Sequence, residues 1–175
     1  MKAGLLPLTL VTGVLIAAGV LVVLLAGASN GGGGGDTSTL EGYFQTLNTT
    51  QTDIRTQYNT IQSQYPQAFT DKQQTLDFLD ASEQAWAQGV DKLKEIEPPA
   101  DAAQAHNGLV QATGDVSAAF AALRTSAEAA DDAAALEALV SSPSTTAFDD
   151  YGIACQSLQD LADQNQVAVS LCASQ

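Results

Sequence analysis

Residues 40–65 read LEGYFQTLNTTQTDIRTQYNTIQSQY, and their apolar side chains recur at alternating steps of four and three residues. This spacing places them on one stripe of an α-helix, as in a helical bundle or a coiled coil. Gln51 is the one polar interruption, and Pro66 ends the predicted helix because proline lacks an amide proton and disfavours helical geometry in Tyr65. The stripe consists of Leu40, Phe44, Leu47, Ile54, Tyr58, Ile61 and Tyr65.

A second apolar stripe predicts a helix that begins with Thr70 as its N-cap and Asp71 in its first turn, where a negative charge suits the helix dipole. Lys92 and Lys94 lie near its C-terminal end, where cations are favoured. The two prolines at 98 and 99 then force a turn. The stripe consists of Leu76, Phe78, Leu79, Trp86, Val90, Leu93 and Ile96.

A third predicted helix begins after these prolines and runs to about Ala130. A short helix over Asp132–Val140 and a last long helix over Thr146–Asn165 follow, separated by the loop sequence SSPSTT. The third stripe consists of Ala102, His106, Leu109, Thr113, Val116, Phe120, Leu123 and Ala127, and the last one of Phe148, Tyr151, Cys155, Leu158 and Leu161 with Ala162.

The tail Val167–Cys172 reads VAVSLC and alternates like an extended strand, but one such segment cannot form a sheet alone. We therefore expect it to lie across the bundle. The segments together predict an all-α fold over residues 40–175. Its expected architecture is an up-and-down four-helix bundle with a short extra helix and an extended C-terminal tail.

The stretch Leu5–Leu25, LLPLTLVTGVLIAAGVLVVLL, carries no charge, and as a helix it spans roughly 30 Å, enough to cross a bilayer. Its length favours an uncleaved single-pass anchor, with Lys2 on the cytoplasmic side and the rest of the chain outside. The alternative is a signal peptide cleaved after Ala28 and before Ser29. A lipoprotein is set aside, because the lipobox-like residues are followed by Ala28 instead of cysteine.

Residues 29–39 include the run Gly31–Gly35, which predicts a flexible tether between residues 1–28 and the bundle. The formal net charge of the chain is −14, with 20 acidic and 6 basic side chains. An acidic surface repels phosphate backbones and anionic lipid headgroups, so the sequence predicts no nucleic-acid partner. Solubility explains this charge most simply, and adaptation to a saline habitat is the sharper alternative.

Cys155 and Cys172 are the only two cysteines of the chain. An even count in an exported domain predicts a structural disulfide, which would staple the tail to the last helix. Metal binding is the alternative, but two thiols this far apart lack partner ligands, and the CxxC spacing of a redox pair is absent.

His106 is the only histidine, on the apolar stripe of the third helix just after the proline turn. It is the one candidate ligand-binding residue, either as a ligand or as an acid–base group near one end of the bundle. The interpretation we favour is a partly buried histidine that is hydrogen-bonded to a backbone carbonyl or to a carboxylate such as Asp101.

The sequence predicts no catalytic residue, no metal site and no cofactor, so we expect a protein that is not an enzyme. A di-iron bundle needs a second histidine, haem with His/Met ligation fails because the only methionine is Met1, and both CxxCH and GxSxG are absent. Paired acids are typical of solvated faces, and aromatic residues at helical spacing are typical of a core. The acids are Glu95/Glu97, Asp131/Asp132 and Asp149/Asp150; the aromatics are Tyr43, Phe44, Tyr58, Tyr65, Phe69 and Trp86.

The C-terminal half resembles bacterial exported and lipoprotein-like helical-bundle proteins of uncharacterised role. The resemblance is carried by Pro98-Pro99-x₆-His106-Asn107-x-Leu109-Val110, by Ala154-Cys155-x₂-Leu158-x₂-Leu161-Ala162 and by Val169-x-Leu171-Cys172. It implies that the proline turn, the histidine and a terminal disulfide occur together, and it brings no established activity. This chain departs from the lipoprotein members because it lacks the acylated cysteine.

These observations predict a membrane-tethered extracytoplasmic helical bundle that serves as a structural or protein-interaction module of the cell envelope. Its expected partner is another envelope protein or a second copy of itself. The alternative is an exported bundle that binds a small molecule or a metal through His106.

Overall fold

The computed structural model describes residues 39–140 and 145–171. The predicted anchor Leu5–Leu25, the glycine linker as far as residue 38 and Cys172 lie outside the described residues. In the ranges that are described, no helix has both the length and the apolar character needed to cross a membrane.

The predicted all-α class is confirmed, because the described residues form five helices that pack together and contain no strand. The boundaries agree with the sequence prediction to within three residues. The helices are α1 (Leu40–Gln64), α2 (Lys72–Lys94), α3 (Ala103–Ala129), α4 (Ala133–Val140) and α5 (Thr145–Gln164).

Neighbouring long helices run antiparallel, because in each pair the contacts join rising residue numbers on one helix to falling numbers on the other. Between α1 and α2, Asp53 lies 3.6 Å from Lys92 and Gln57 bonds to Gln88. Between α2 and α3, the Arg124 guanidinium donates to Asp80 at 3.2 Å, and Ser117 donates to the Glu83 carbonyl. Between α1 and α5, the side-chain pairs are Gln51 with Tyr151 and Tyr58 with Phe148.

The apolar stripe of α3 is confirmed in full, since all eight of its predicted positions are buried. This helix makes its most extensive contacts with α2 and also contacts α4 and α5, so it is the central helix of the bundle. Two of the eight positions, His106 and Thr113, are polar. The Thr113 hydroxyl donates to the Leu109 carbonyl at 2.7 Å, so its burial leaves no orphan donor.

The start of α2 differs from the prediction, because Asp71 and not Thr70 is its N-cap. The Asp71 carboxylate accepts a hydrogen bond from the Gln74 amide at 2.8 Å, while the Thr70 hydroxyl donates backwards to the Gln67 carbonyl. Either side chain can cap a helix, but the carboxylate also interacts favourably with the helix dipole. The adjacent Lys72 donates to the carbonyls of Glu128 and Ala130, so a cation occupies the C-terminal end of α3.

The short helix α4 begins one residue later than predicted, because Asp132 caps it by accepting from the Ala135 amide at 2.9 Å. Beyond α5, residues 167–170 have no regular structure. Gln159 of α5 donates to the Val169 carbonyl and accepts from the Leu171 amide, at 3.1 and 2.8 Å. The described part of the tail therefore folds back along α5 as an irregular segment, and no strand forms there.

Gly89 permits the close approach of α1 and α3 to α2. A Cβ atom at this position would lie 3.0 Å from Ile54 Cδ1 and 3.6 Å from Thr113 Cγ2, whereas one at Gly108 would meet nothing within 4 Å. We expect Gly108→Ala to stabilise the protein by about 1 kcal/mol through helix propensity. Gly89→Ala should be less stable than Gly108→Ala by about 1–3 kcal/mol, because overpacking opposes the same propensity gain. Urea denaturation of the two variants measures this difference, and equal stabilities would contradict the packing at Gly89.

Candidate functional site

His106 lies at one end of the bundle, on the first turn of α3, and is only 3 % exposed. Its Nδ1 atom lies 3.1 Å from the hydroxyl of Tyr43, which is fully buried on α1. The backbone of Leu93, at the end of α2, also hydrogen-bonds to the imidazole. The histidine therefore ties three helices together through one side chain.

This arrangement agrees with the interpretation that His106 is a buried, hydrogen-bonded core residue. A neutral imidazole has one donor and one acceptor nitrogen. If Tyr43 donates to Nδ1, the other nitrogen donates to the Leu93 carbonyl, and both are then used. The sequence predicts a backbone carbonyl or a carboxylate such as Asp101 as the partner. The observed partners are the backbone of Leu93, as expected, and the hydroxyl of Tyr43, which was not expected.

Burial lowers the pKa of His106 below its usual value near 6.5, and the hydrogen bond with Leu93 opposes part of that shift. As the pH falls below about 6.5, the unfolded chain takes up a proton at this residue before the folded chain does. The free energy of unfolding therefore falls between pH 7 and the lowered pKa of the folded state. Burial also raises the pKa of Tyr43, so this hydroxyl stays protonated throughout that range.

We expect His106→Gln to lose this pH dependence, since glutamine retains hydrogen-bonding capacity but does not titrate. The measurement is urea denaturation at pH 7.0 and 5.5 for both proteins. The wild type should lose more stability than the variant on acidification. Equal losses would show that His106 is not buried as a neutral group.

Gln51, the polar interruption of the α1 stripe, is a second buried polar group. It is 3 % exposed and accepts a hydrogen bond from the Tyr151 hydroxyl of α5. Burial raises the pKa of Tyr151 to about 12, against the lowering effects of Arg55 and of Gln51. The ring of Trp86 stands edge-on to that of Tyr151, with centroids 5.1 Å apart. The interruption is therefore a specific link between α1 and α5.

The aromatic residues pack against one another in the core of the bundle. Tyr58 is at the centre, with its ring 5.8–6.4 Å from those of four neighbours on α2, α3 and α5. Edge-on and tilted pairs of this kind each add about 0.5–1.5 kcal/mol beyond the burial of their area. The four neighbours are Phe78, Trp86, Phe120 and Phe148.

The acidic pairs are solvated. Both members of each pair, at 95 and 97, 131 and 132, and 149 and 150, are exposed. Within residues 39–140 and 145–171, no three histidine, cysteine, aspartate or glutamate side chains are grouped so that they could hold a metal ion.

Cys155 is buried on the inner face of α5, at 3 % exposure. Cys172 is outside the described residues, so its predicted pairing with Cys155 stays a prediction. The return of the tail to Gln159, one helical turn after Cys155, brings Leu171 back to the same helix. The described geometry is therefore compatible with the pairing.

A trough of about 410 Å³ lies on the outer surface between α1 and α2. Its walls are amide and hydroxyl side chains, and its floor is apolar. The hydrogen bond from Gln57 to Gln88, at 3.3 Å, crosses it. We call it the glutamine trough, and its lining residues are Gln57, Thr60, Ile61, Gln64, Ala81, Gln84, Ala85 and Gln88.

The sequence prediction missed two features of these sites. Tyr43 lies beside the α1 stripe, and its partner is 63 positions away in sequence, so periodicity gives no signal for the bond. The glutamine trough requires knowing which faces of α1 and α2 are adjacent. The run of uncharged polar residues on the outer face of α1 was the one available signal.

Comparison with known proteins adds no assignment. No protein-family model matches the chain, and neither a curated protein nor a solved structure is significantly similar to it.

Proposed function

We propose that this chain is a membrane-tethered extracytoplasmic helical bundle that works through contacts with another envelope protein or with its own copies. The observation that supports the proposal most is that the candidate functional side chains are buried and take part in core packing. His106 is buried and hydrogen-bonded, and the aromatic side chains pack against one another. Because the histidine and the aromatic side chains are used for packing, the outer surface of the bundle is left to make contacts with a partner.

The sequence supports the tether. The uncharged segment Leu5–Leu25 would be long enough to span a bilayer as a helix, and the composition of the run Gly31–Gly35 is typical of a flexible tether. Together they would present the four long helices of the bundle to neighbouring molecules outside the cell membrane. The expected disulfide belongs to the same compartment.

The competing proposal is a small molecule or metal bound at His106. It requires the buried hydrogen bonds of this residue to break. A ligand on either imidazole nitrogen would have to displace Tyr43 or the Leu93 carbonyl from a buried site. Leaving one of these groups buried without a partner costs about 1–3 kcal/mol. We therefore place the function on the surface of the bundle.

Photo-crosslinking in native membranes tests the proposal. A photoreactive residue is placed at exposed positions on three helices, such as Gln62, Gln111 and Ile153, in the full chain. We expect adducts of one defined mass from at least one helix face. The matched control is the same residue at buried Leu158, which should give no adduct with another chain. If none of the exposed positions gives an adduct, the interaction role is wrong.

A further inference from the structure

The glutamine trough is uncharged in a strongly acidic protein. None of its eight lining residues carries a charge, although the chain as a whole has a formal net charge of −14. A cationic ligand would find no carboxylate among the lining residues, and an anionic ligand would be repelled by the surrounding surface. The trough therefore favours an electrically neutral ligand.

The chemistry of its walls further restricts the ligand. Each of the four glutamine amides can both donate and accept hydrogen bonds, and the Thr60 hydroxyl, which donates to the Thr56 carbonyl at 2.8 Å, can accept one. The floor is formed by Ile61, which is 7 % exposed, together with the methyl groups of Ala81 and Ala85. A ligand that matches both parts has many hydroxyl groups around its edge and an apolar C–H face. Pyranose rings have this combination.

The dimensions also suit a short ligand. The trough follows α1 from Gln57 to Gln64, which is about 10 Å at the rise of an α-helix. Its volume of about 410 Å³ falls within the range of about 300–1,000 Å³ that is usual for ligand clefts. The exposed side chain of Gln64 and the carbonyl oxygen of Gln84 can bond to a ligand without disturbing the bond between Gln57 and Gln88. The Gln84 nitrogen donates to the Asp80 carboxylate at 2.7 Å.

We propose that the glutamine trough binds a short segment of a neutral saccharide polymer. This site is on the solvent side of α1 and α2 and uses no residue of the His106 or Gln51 clusters. It goes beyond the proposed protein-interaction role and can be right or wrong independently of it. The ligand would lie along the trough, with its ring faces on Ile61 and its hydroxyls bonded to the glutamine amides.

The test is a titration of the full-length chain in lipid nanodiscs that are free of glycoside detergents, because detergent sugars would compete. The probes are three neutral oligosaccharides, chitohexaose, cellohexaose and maltohexaose, and one capped neutral peptide of alanine, serine and glycine. Binding is measured by calorimetry and by chemical-shift changes of the glutamine side-chain amides. We expect at least one saccharide to bind and the peptide not to bind.

Two double variants locate the site. Gln64→Ala with Gln84→Ala removes amides from both walls and should weaken saccharide binding by about tenfold, the effect of losing roughly two hydrogen bonds. Gln104→Ala with Gln111→Ala removes two exposed amides from α3 and should leave binding unchanged. The helical circular dichroism of both variants should match that of the parent chain, because all four residues are exposed.

Three results would overturn the proposal. The first is no saccharide binding at millimolar concentrations. The second is binding of the peptide in preference to the saccharides, which would make the trough a peptide site. The third is equal saccharide binding by the trough variant and the α3 control. None of these results would bear on crosslinking to a protein partner, so the two proposals fail separately.

Discussion

Phe120→Ala should lower the free energy of unfolding by about 3–5 kcal/mol, the usual cost of emptying a buried phenylalanine site. Phe120 is 3 % exposed, and its ring centroid lies 5.8 Å from that of Tyr58 on α1 and 5.8 Å from that of Phe148 on α5. It also contacts Phe78 of α2 at 6.2 Å. One truncation on α3 therefore removes contacts with three other helices.

The measurement is guanidinium denaturation followed by circular dichroism at 222 nm. Ile153→Ala on α5 is the control, since this side chain is 65 % exposed and its truncation should change stability by no more than about 0.5 kcal/mol. A loss of less than about 1 kcal/mol for Phe120→Ala would mean that the aromatic rings do not pack around α3.

Reduction of the predicted bond between Cys155 and Cys172 should be the second large effect. In the chain-entropy model, a closed loop of this length stabilises the folded state by about 3 kcal/mol. The buried position of Cys155 and the two hydrogen bonds between Gln159 and the tail support the expectation. A reductant should therefore lower the unfolding midpoint of the wild-type chain.

Cys172→Ser is the matched control for this experiment, because it removes the pairing without changing the buried residue on α5. Its midpoint should be close to that of the reduced wild type and should not respond to reductant. If the oxidised wild type and Cys172→Ser unfold at the same midpoint, the pairing is absent or the tail contributes no stability.

The fold class and the inner faces of the long helices followed from local sequence patterns. The apolar stripe of α3 was complete in the prediction, because burial on one side of a helix requires the four- and three-residue spacing that the sequence displays. The end of α1 followed from Pro66 for an equally local reason, whereas α2 already ends at Lys94, before the two prolines at 98 and 99.

The buried polar contacts did not follow from the sequence, because they join residues far apart in the chain. Gln51 appeared as a defect in the α1 stripe, and its partner Tyr151 is 100 positions away. The choice between Thr70 and Asp71 as the cap was a competition between adjacent residues that propensity alone does not decide. The site at His106 was anticipated as buried, but the identity of Tyr43 as its partner required the packing of α1 against α3.

Native mass spectrometry of the chain, released gently from its own membranes, tests the central claim most directly. If the apolar segment is an anchor, as we propose, the chain should retain the residues before Ser29. We also expect it to carry the mass of a second polypeptide or of another copy. A chain that begins at Ser29 and is detected as a monomer without any bound polypeptide would contradict both the tether and the interaction role.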